Sequence, residues 1–230
     1  VLNSGMNAIG LVEPLLYNLG KPGGIDDNGK AAALFPLLPV GHWHEFAYAT
    51  IILLICLSVA LVGSQTVSRA GNILFLVLVA SIASIPLSAL IKKPFVDDNN
   101  LYYSGISWET FTQNLYPRLT KGAAGSLTNK RETFNDLFGI FFPATAGIFA
   151  GAGMSSELRK PSRSIPKGTL WGLLFTFLCY TIVVISMGFT IPREYLYKDV
   201  QVIQSVSAIQ WIIFMGEMST SLFSINVGMV

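Results

Sequence analysis

The chain has 230 residues, of which 52% are hydrophobic and only 12% are charged, and its formal net charge is +2. Soluble domains usually carry about 25% charged residues, so the composition favours a membrane protein. The small net charge gives no indication of a nucleic-acid partner. The two cysteines, Cys56 and Cys179, lie inside apolar runs, which argues against a disulfide framework and against a zinc site.

Apolar runs recur along the chain, and several reach the length of about 20 residues that a helix needs to cross a bilayer. We interpret residues 1–230 as a single transmembrane core. Because the chain begins and ends within apolar runs, we expect it to be part of a longer protein. The predicted spans are 1–18 (partial), 46–63, 71–91, 136–154 (broken), 168–191 and 206–230 (partial).

The segment 92–134 is polar and too long for a simple turn. It contains Tyr102, Tyr103, Trp108 and Phe111, which are large enough to pack against one another or against a helix end. We therefore expect short helices or local order in this segment rather than disorder.

The Lys and Arg residues of the loops predict the orientation of the chain in the bilayer. The segments 64–70 and 155–167 carry five Lys or Arg residues at high density. The segments 19–45, 92–134 and 192–205 carry ten, spread over a much longer stretch. The density places the first two segments in the cytoplasm and predicts that the long loop 92–134 is not cytoplasmic.

The apolar segment 141–151 combines Pro143 with Gly147. Proline removes a backbone donor and blocks the preceding helical turn, and glycine permits an unwound backbone. We predict non-helical backbone between about Pro143 and Gly147, with helix on both sides. In secondary transporters such breaks hold ions near the membrane midplane, anions at the amides and cations at the carbonyls. A kinked packing helix with Gly147 and Gly151 as a small-residue contact is the alternative.

The sequence Phe-Phe-Pro-Ala-Thr-Ala-Gly-Ile-Phe-Ala-Gly-Ala-Gly-Met-Ser (141–155) resembles the sixth helix of the cation-chloride cotransporters. The similarity continues through Ser156-Glu157-Leu158 and through 164–170, and Val67-Ser68-Arg69 also fits the family. The resemblance is greatest to the fungal vacuolar members. It implies an all-α membrane protein, here helices three to eight of a twelve-helix inverted-repeat (LeuT-like) transporter with a discontinuous sixth helix.

The resemblance implies electroneutral symport of chloride with a monovalent cation, here potassium. The implied partners are chloride and potassium ions, the lipid bilayer and a second copy of the chain, and no cofactor is implied. The implied location is a multi-pass position in the vacuolar membrane if the source is fungal, and otherwise in the plasma membrane.

The cation site of the family implies four positions in this chain. The third-helix tyrosine of the family corresponds to Asn7, which still offers a carbonyl oxygen. Pro143 and Ala144 would contribute backbone carbonyls. The sixth-helix threonine of the family corresponds to Ala146, and Thr145 lies one residue earlier.

The family also implies an anion site and a sodium site. The anion site corresponds to the backbone amides of Gly147, Ile148 and Phe149. The sodium site uses two adjacent serines of the eighth helix, which correspond to Phe223 and Ser224. Because sodium needs several oxygen ligands, the phenylalanine argues against sodium coupling.

Two acids within or near apolar runs, Glu13 and Glu217, are functional candidates by default. For Glu13 we favour a solvated residue near the outer mouth. Glu217 could equally face a water-filled cavity or lie among headgroups at the end of its span. The sequence His42-Trp43-His44-Glu45 fits an interfacial belt better than a metal site.

Two other functions remain as alternatives. An amino-acid or polyamine permease of the same superfold would share the Glu…Pro…Ile-Pro pattern that follows the sixth helix. A membrane-embedded enzyme or a non-transporting scaffold subunit belongs to a different class. An enzyme would need paired acids, or histidine beside acids, within the spans, and the sequence has no such pair.

Overall fold

The computed structural model describes residues 2–20, 37–62, 64–96, 101–117, 119, 121, 131, 133–144 and 160–227. This part of the chain is mostly helical, and it also contains one short antiparallel pair of strands. The helices are α1 (Leu2–Leu19), α2 (His42–Val62), α3 (Ser64–Ile91), α4 (Trp108–Asn114), α5 (Phe134–Ala144), α6 (Pro161–Thr190), α7 (Arg193–Lys198), α8 (Val202–Val206) and α9 (Gln210–Val227). The strands are β1 (Phe95–Val96) and β2 (Tyr102–Tyr103).

Three of the described helices are long and apolar enough to cross a membrane, over His42–Leu61, Val67–Ile91 and Pro161–Thr190. The polar residues 64–70, which we predicted to be a cytoplasmic loop between two spans, are helical and form the beginning of α3. Helix α6 begins at Pro161, well before the predicted span at 168, because proline is well suited to the first helical position. Apolar runs therefore located these helices, but polar first turns extended them.

The described chain divides into two compact units, and the first contains Val1–Ser84 and Ile209–Val230. In this unit α1 packs against both α2 and α9. The inward face of α1 carries Ala8, Leu11, Val12 and Leu16, at the spacing of one helical stripe. The buried core consists of these four residues with Ala49, Cys56 and Ile225.

Helices α9 and α3 approach each other closely within the first unit. A side chain at Gly216 of α9 would overlap the side chain of Ser81 on α3. Ser81 is itself buried. Only glycine fits at position 216 without a shift of one of the two helices.

The second unit contains Ile85–Ala208, including the long segment 92–134 between the predicted spans. Its buried core consists of Leu101, Tyr103, Ile191, Tyr195, Val202 and Val206. Within this unit α4 lies on the last turns of α6, where the rings of Phe111 and Phe189 stack with centroids 4.1 Å apart. In the described part of 92–134 the expected local order is present, as α4 and the β1–β2 pair. Tyr103 is fully buried, whereas Tyr102 and Trp108 remain exposed.

Candidate ion-binding site

Two predicted ion-site positions, one near each end of the chain, meet in the first unit. The side-chain amide of Asn7 on α1 donates a hydrogen bond from Nδ2 to the Oγ atom of Ser224 on α9, at 2.8 Å. Both side chains are half-buried. The packing of α1 against α9 brings the two residues together, although 217 positions separate them in the sequence.

The Asn7–Ser224 pair offers oxygen atoms to a hard cation. Because Nδ2 is committed to Ser224, the other amide atom of Asn7 is its carbonyl oxygen, Oδ1. The Ser224 hydroxyl accepts the amide bond and keeps a second lone pair. Carbonyl and hydroxyl oxygens are the neutral ligands that alkali and other hard cations prefer.

Phe223, the other former sodium-site position, contributes no oxygen. Its side chain is 45% exposed. Its ring also lies close to Gly71 of α3, where an added Cβ would come within 2.9 Å of the ring. Phe223 therefore fills space beside α3. The prediction that this protein does not require sodium stays a prediction.

The predicted helix break lies only partly within the described residues. Pro143 and Ala144 belong to α5, so the prediction of non-helical backbone from Pro143 onward is wrong for these two residues. Proline leaves one helical hydrogen bond unmade, but its fixed φ of about −65° is itself helical, so helical backbone can run through it. The other predicted ligands of this segment lie outside the described residues: Thr145, Gly147, Ile148 and Phe149.

Glu217 is the site residue that the sequence left undecided. It is the eighth residue of α9, so it lies one to two turns inside the helix rather than at its end. Its Oε2 atom is buried and has no hydrogen-bond partner among the described residues. Glu13, in contrast, is exposed, as expected for a solvated acid. The signal that pointed to Glu217 was an acid inside an apolar run.

Comparison with known proteins identifies the family. Residues 31–229 match the family model described as amino acid permease. The chain is 70% identical over its whole length to vacuolar cation-chloride cotransporter 1 of Saccharomyces cerevisiae. It is 38% identical over 99% of its length to an uncharacterized transporter of Schizosaccharomyces pombe. It is 31% identical over 98% of its length to solute carrier family 12 member 9 of Danio rerio.

These three relatives are much longer than the chain, which covers 20%, 21% and 26% of their respective lengths. These relatives are named as a cotransporter, a transporter and a solute carrier. The resemblance to the cation-chloride cotransporters, and to a fungal vacuolar member in particular, is confirmed by the 70% identity.

Proposed function

Since this chain belongs to the amino acid permease family, we propose that it forms part of the ion-transporting core of a cation-chloride cotransporter. The observation that carries the proposal is the 70% identity, over the whole chain, to a protein named as a vacuolar cation-chloride cotransporter. The same name supports a multi-pass position in the vacuolar membrane. The apolar helices α2, α3 and α6 support membrane insertion.

The transported ions in this proposal are chloride and potassium, in electroneutral symport. The oxygens of Asn7 and Ser224 support a cation site at the α1–α9 contact. Phe223 supports potassium over sodium, because sodium loses one hydroxyl ligand where the ring stands. Pro143, Ala144 and Thr145 are the further cation ligands of the proposal.

Chloride, in this proposal, binds to the backbone amides of Gly147, Ile148 and Phe149. The sequence 141–151 contains no basic side chain, so an anion there depends on backbone dipoles and on the neighbouring cation. Each ion lowers the cost of burying the other, which couples their binding. Such coupling is what an electroneutral carrier needs.

The test is rubidium uptake by vacuoles that contain the complete protein, compared with vacuoles that lack it. We expect uptake that depends on chloride and that persists when sodium is replaced by an inert organic cation. Loss of uptake in sodium-free medium would contradict the potassium–chloride assignment. Uptake that is indifferent to chloride would contradict cotransport itself.

The anion site is tested in the same assay with Gly147→Val. The β-branched side chain should obstruct the backbone amides, so the half-saturating chloride concentration should rise or the maximal uptake should fall. The matched control is Gly172→Val in α6, where an added Cβ would have no atom within 4 Å. Unchanged chloride dependence of Gly147→Val at equal protein amount would remove these amides from the site.

A second candidate function is transport of an amino acid, which the name of the matching family model favours. It predicts saturable uptake of a labelled amino acid that rubidium and chloride do not affect. The same vacuoles serve for both measurements, so one experiment decides between the two functions.

A further inference from the structure

The Glu217 side chain is half-buried in the first unit. Residues 213 and 214, one turn earlier on α9, are the buried Ile213 and Phe214. The Oε2 atom is itself buried, and no described residue donates a hydrogen bond to it. Glu217 therefore points into the protein, and lipid headgroups at the end of the helix do not solvate this oxygen.

No basic side chain compensates this acid among the described residues. The described basic residues of the first unit are His42, His44 and Arg69, which are all exposed. The ion pair found in the described part of the chain joins Glu194 to Lys198, both in the second unit. A buried carboxylate without a partner costs several kcal/mol or more, so such acids usually serve a ligand or a proton.

Other oxygen atoms lie on the same face of α9. Residues four and seven positions after Glu217 are Ser221 and Ser224, and this spacing places all three side chains along one side of the helix. Ser221 and Ser224 are half-buried, and Ser224 accepts the hydrogen bond from Asn7. The face thus continues from an anionic carboxylate to neutral oxygen donors, within about 10 Å along the helix axis.

We propose that Glu217 is a cation-binding residue, and that its carboxylate and the Ser221 hydroxyl hold an alkali cation on the half-buried face of α9. The cation supplies the positive charge that no described residue provides to the carboxylate. The Ser221 hydroxyl contributes one more oxygen ligand to the cation. This site is one to two turns from the Asn7–Ser224 pair. It gives the cation a charged position on the same face. The inference rests on the proposed cation transport and adds a residue to it.

The experiment compares Glu217→Gln with the wild type in the complete protein. Glutamine keeps the size and removes the charge, and we expect the half-saturating rubidium concentration to rise at least about tenfold. The half-saturating chloride concentration, measured at saturating rubidium, should change less than about twofold. The matched control is Glu13→Gln, the same change at an exposed acid of the same unit, which should leave rubidium dependence unchanged.

A binding measurement separates this inference from the proposed function. Potassium chloride, compared with an inert organic chloride salt, should raise the thermal midpoint of the purified wild type, because a ligand stabilises the state that binds it. Glu217→Gln should lose most of that increase, and Glu13→Gln should keep it. If wild-type vacuoles show no rubidium uptake, the proposed function fails. If they do and Glu217→Gln matches the wild type in both measurements, Glu217 is not a cation ligand.

A proton is the competing occupant, and it gives a different result. If Glu217 carries a proton rather than a metal cation, glutamine should reproduce the wild type at acidic pH without changing the half-saturating rubidium concentration. That outcome would overturn the proposal. If Glu217→Gln does not accumulate, Ser221→Ala decides. Loss of the hydroxyl should raise the half-saturating rubidium concentration about two- to fivefold, and no rise would overturn the proposal.

Discussion

The two units offer different examples of how a polar side chain joins two helices. In the first unit Asn7 and Ser224 bond to each other through their side chains, across α1 and α9. In the second unit Asn114 and Arg193 instead bond to backbone carbonyls at the ends of other helices. Asn114 donates to the carbonyls of Gly188 and Ile191 at the end of α6, both at 2.9 Å. Arg193 donates to the carbonyls of three residues at and just after the end of α4: Gln113, Asn114 and Tyr116.

This difference follows from what each unit contains. The second unit has to satisfy helix ends, since the last four carbonyls of a helix have no partner within it. The first unit consists mainly of helix interiors, whose backbone groups already bond to each other. Ser219 and Thr220 there bond to carbonyls of their own helix, whereas Asn7 and Ser224 bond across two helices. Stability tests should hence respond to packing in the first unit and to hydrogen bonds at helix ends in the second.

The largest effect is expected from Gly216→Ala in the first unit. The new methyl group would overlap Ser81, so we expect a loss of about 3 kcal/mol from strain between α9 and α3. The control Gly172→Ala in α6 meets no atom within 4 Å and should keep or slightly raise stability. The thermal midpoint of the purified complete protein measures both. Equal midpoints would show that the close contact of α9 with α3 is absent.

A smaller loss, about 1–2 kcal/mol, is expected from Asn114→Asp in the second unit. The carboxylate cannot donate to the carbonyls of Gly188 and Ile191, which would face it without partners. Gln113→Glu makes the same chemical change at an exposed neighbour and should cost less than about 0.5 kcal/mol. Denaturant or thermal unfolding of the complete protein distinguishes them. Equal losses would mean that Asn114 does not tie α4 to α6.

The Asn7–Ser224 bond should contribute less to the free energy of unfolding than the Asn114 bonds do. A double-mutant cycle with Asn7→Ala and Ser224→Ala should give a coupling free energy of about 0.6 kcal/mol, typical for side chains that bond across membrane helices. Pairing Asn7→Ala with Ser219→Ala provides the control, because Ser219 bonds to the Met215 carbonyl of its own helix. That control should show no coupling. Equal coupling in the two cycles would argue against a direct Asn7–Ser224 contact.

The smallest effect is expected from the exposed ion pair of the second unit, where Lys198 lies 2.5 Å from Glu194. The hydrogen bond and the positive charge of Lys198 lower the pKa of Glu194. The folded state therefore favours the carboxylate, and the stabilisation is present at neutral pH and lost as the pH falls through the lowered pKa. The small difference in thermal midpoint between Glu194→Gln and the wild type should vanish in acid. A difference that grows in acid would contradict this pairing.

The sequence predicted where most of the long helices lie, but it did not predict the residues at which they begin and end. Apolar runs predicted α2, α3 and α6, because a bilayer-spanning helix requires a long apolar stretch. The polar residues 64–70 were predicted to be a loop, yet they form the beginning of α3. Backbone hydrogen bonding within a helix does not stop where side chains become polar. Pro143 likewise lies within α5, because its fixed φ of about −65° suits a helix even though one backbone hydrogen bond is lost.

For the candidate site, too, the sequence predicted some features and only the tertiary structure showed the others. Family resemblance named Asn7 and Ser224 separately, and an acid in an apolar run singled out Glu217. Residue types and local spacing are properties of the sequence alone, and they determined the membrane class, the transporter family and the candidate residues. Only the packing of α1 against α9 decided that Asn7 bonds to Ser224, and only the fold of the first unit buried one carboxylate oxygen of Glu217. Such contacts join distant parts of the chain through burial of helix faces, which no local pattern encodes.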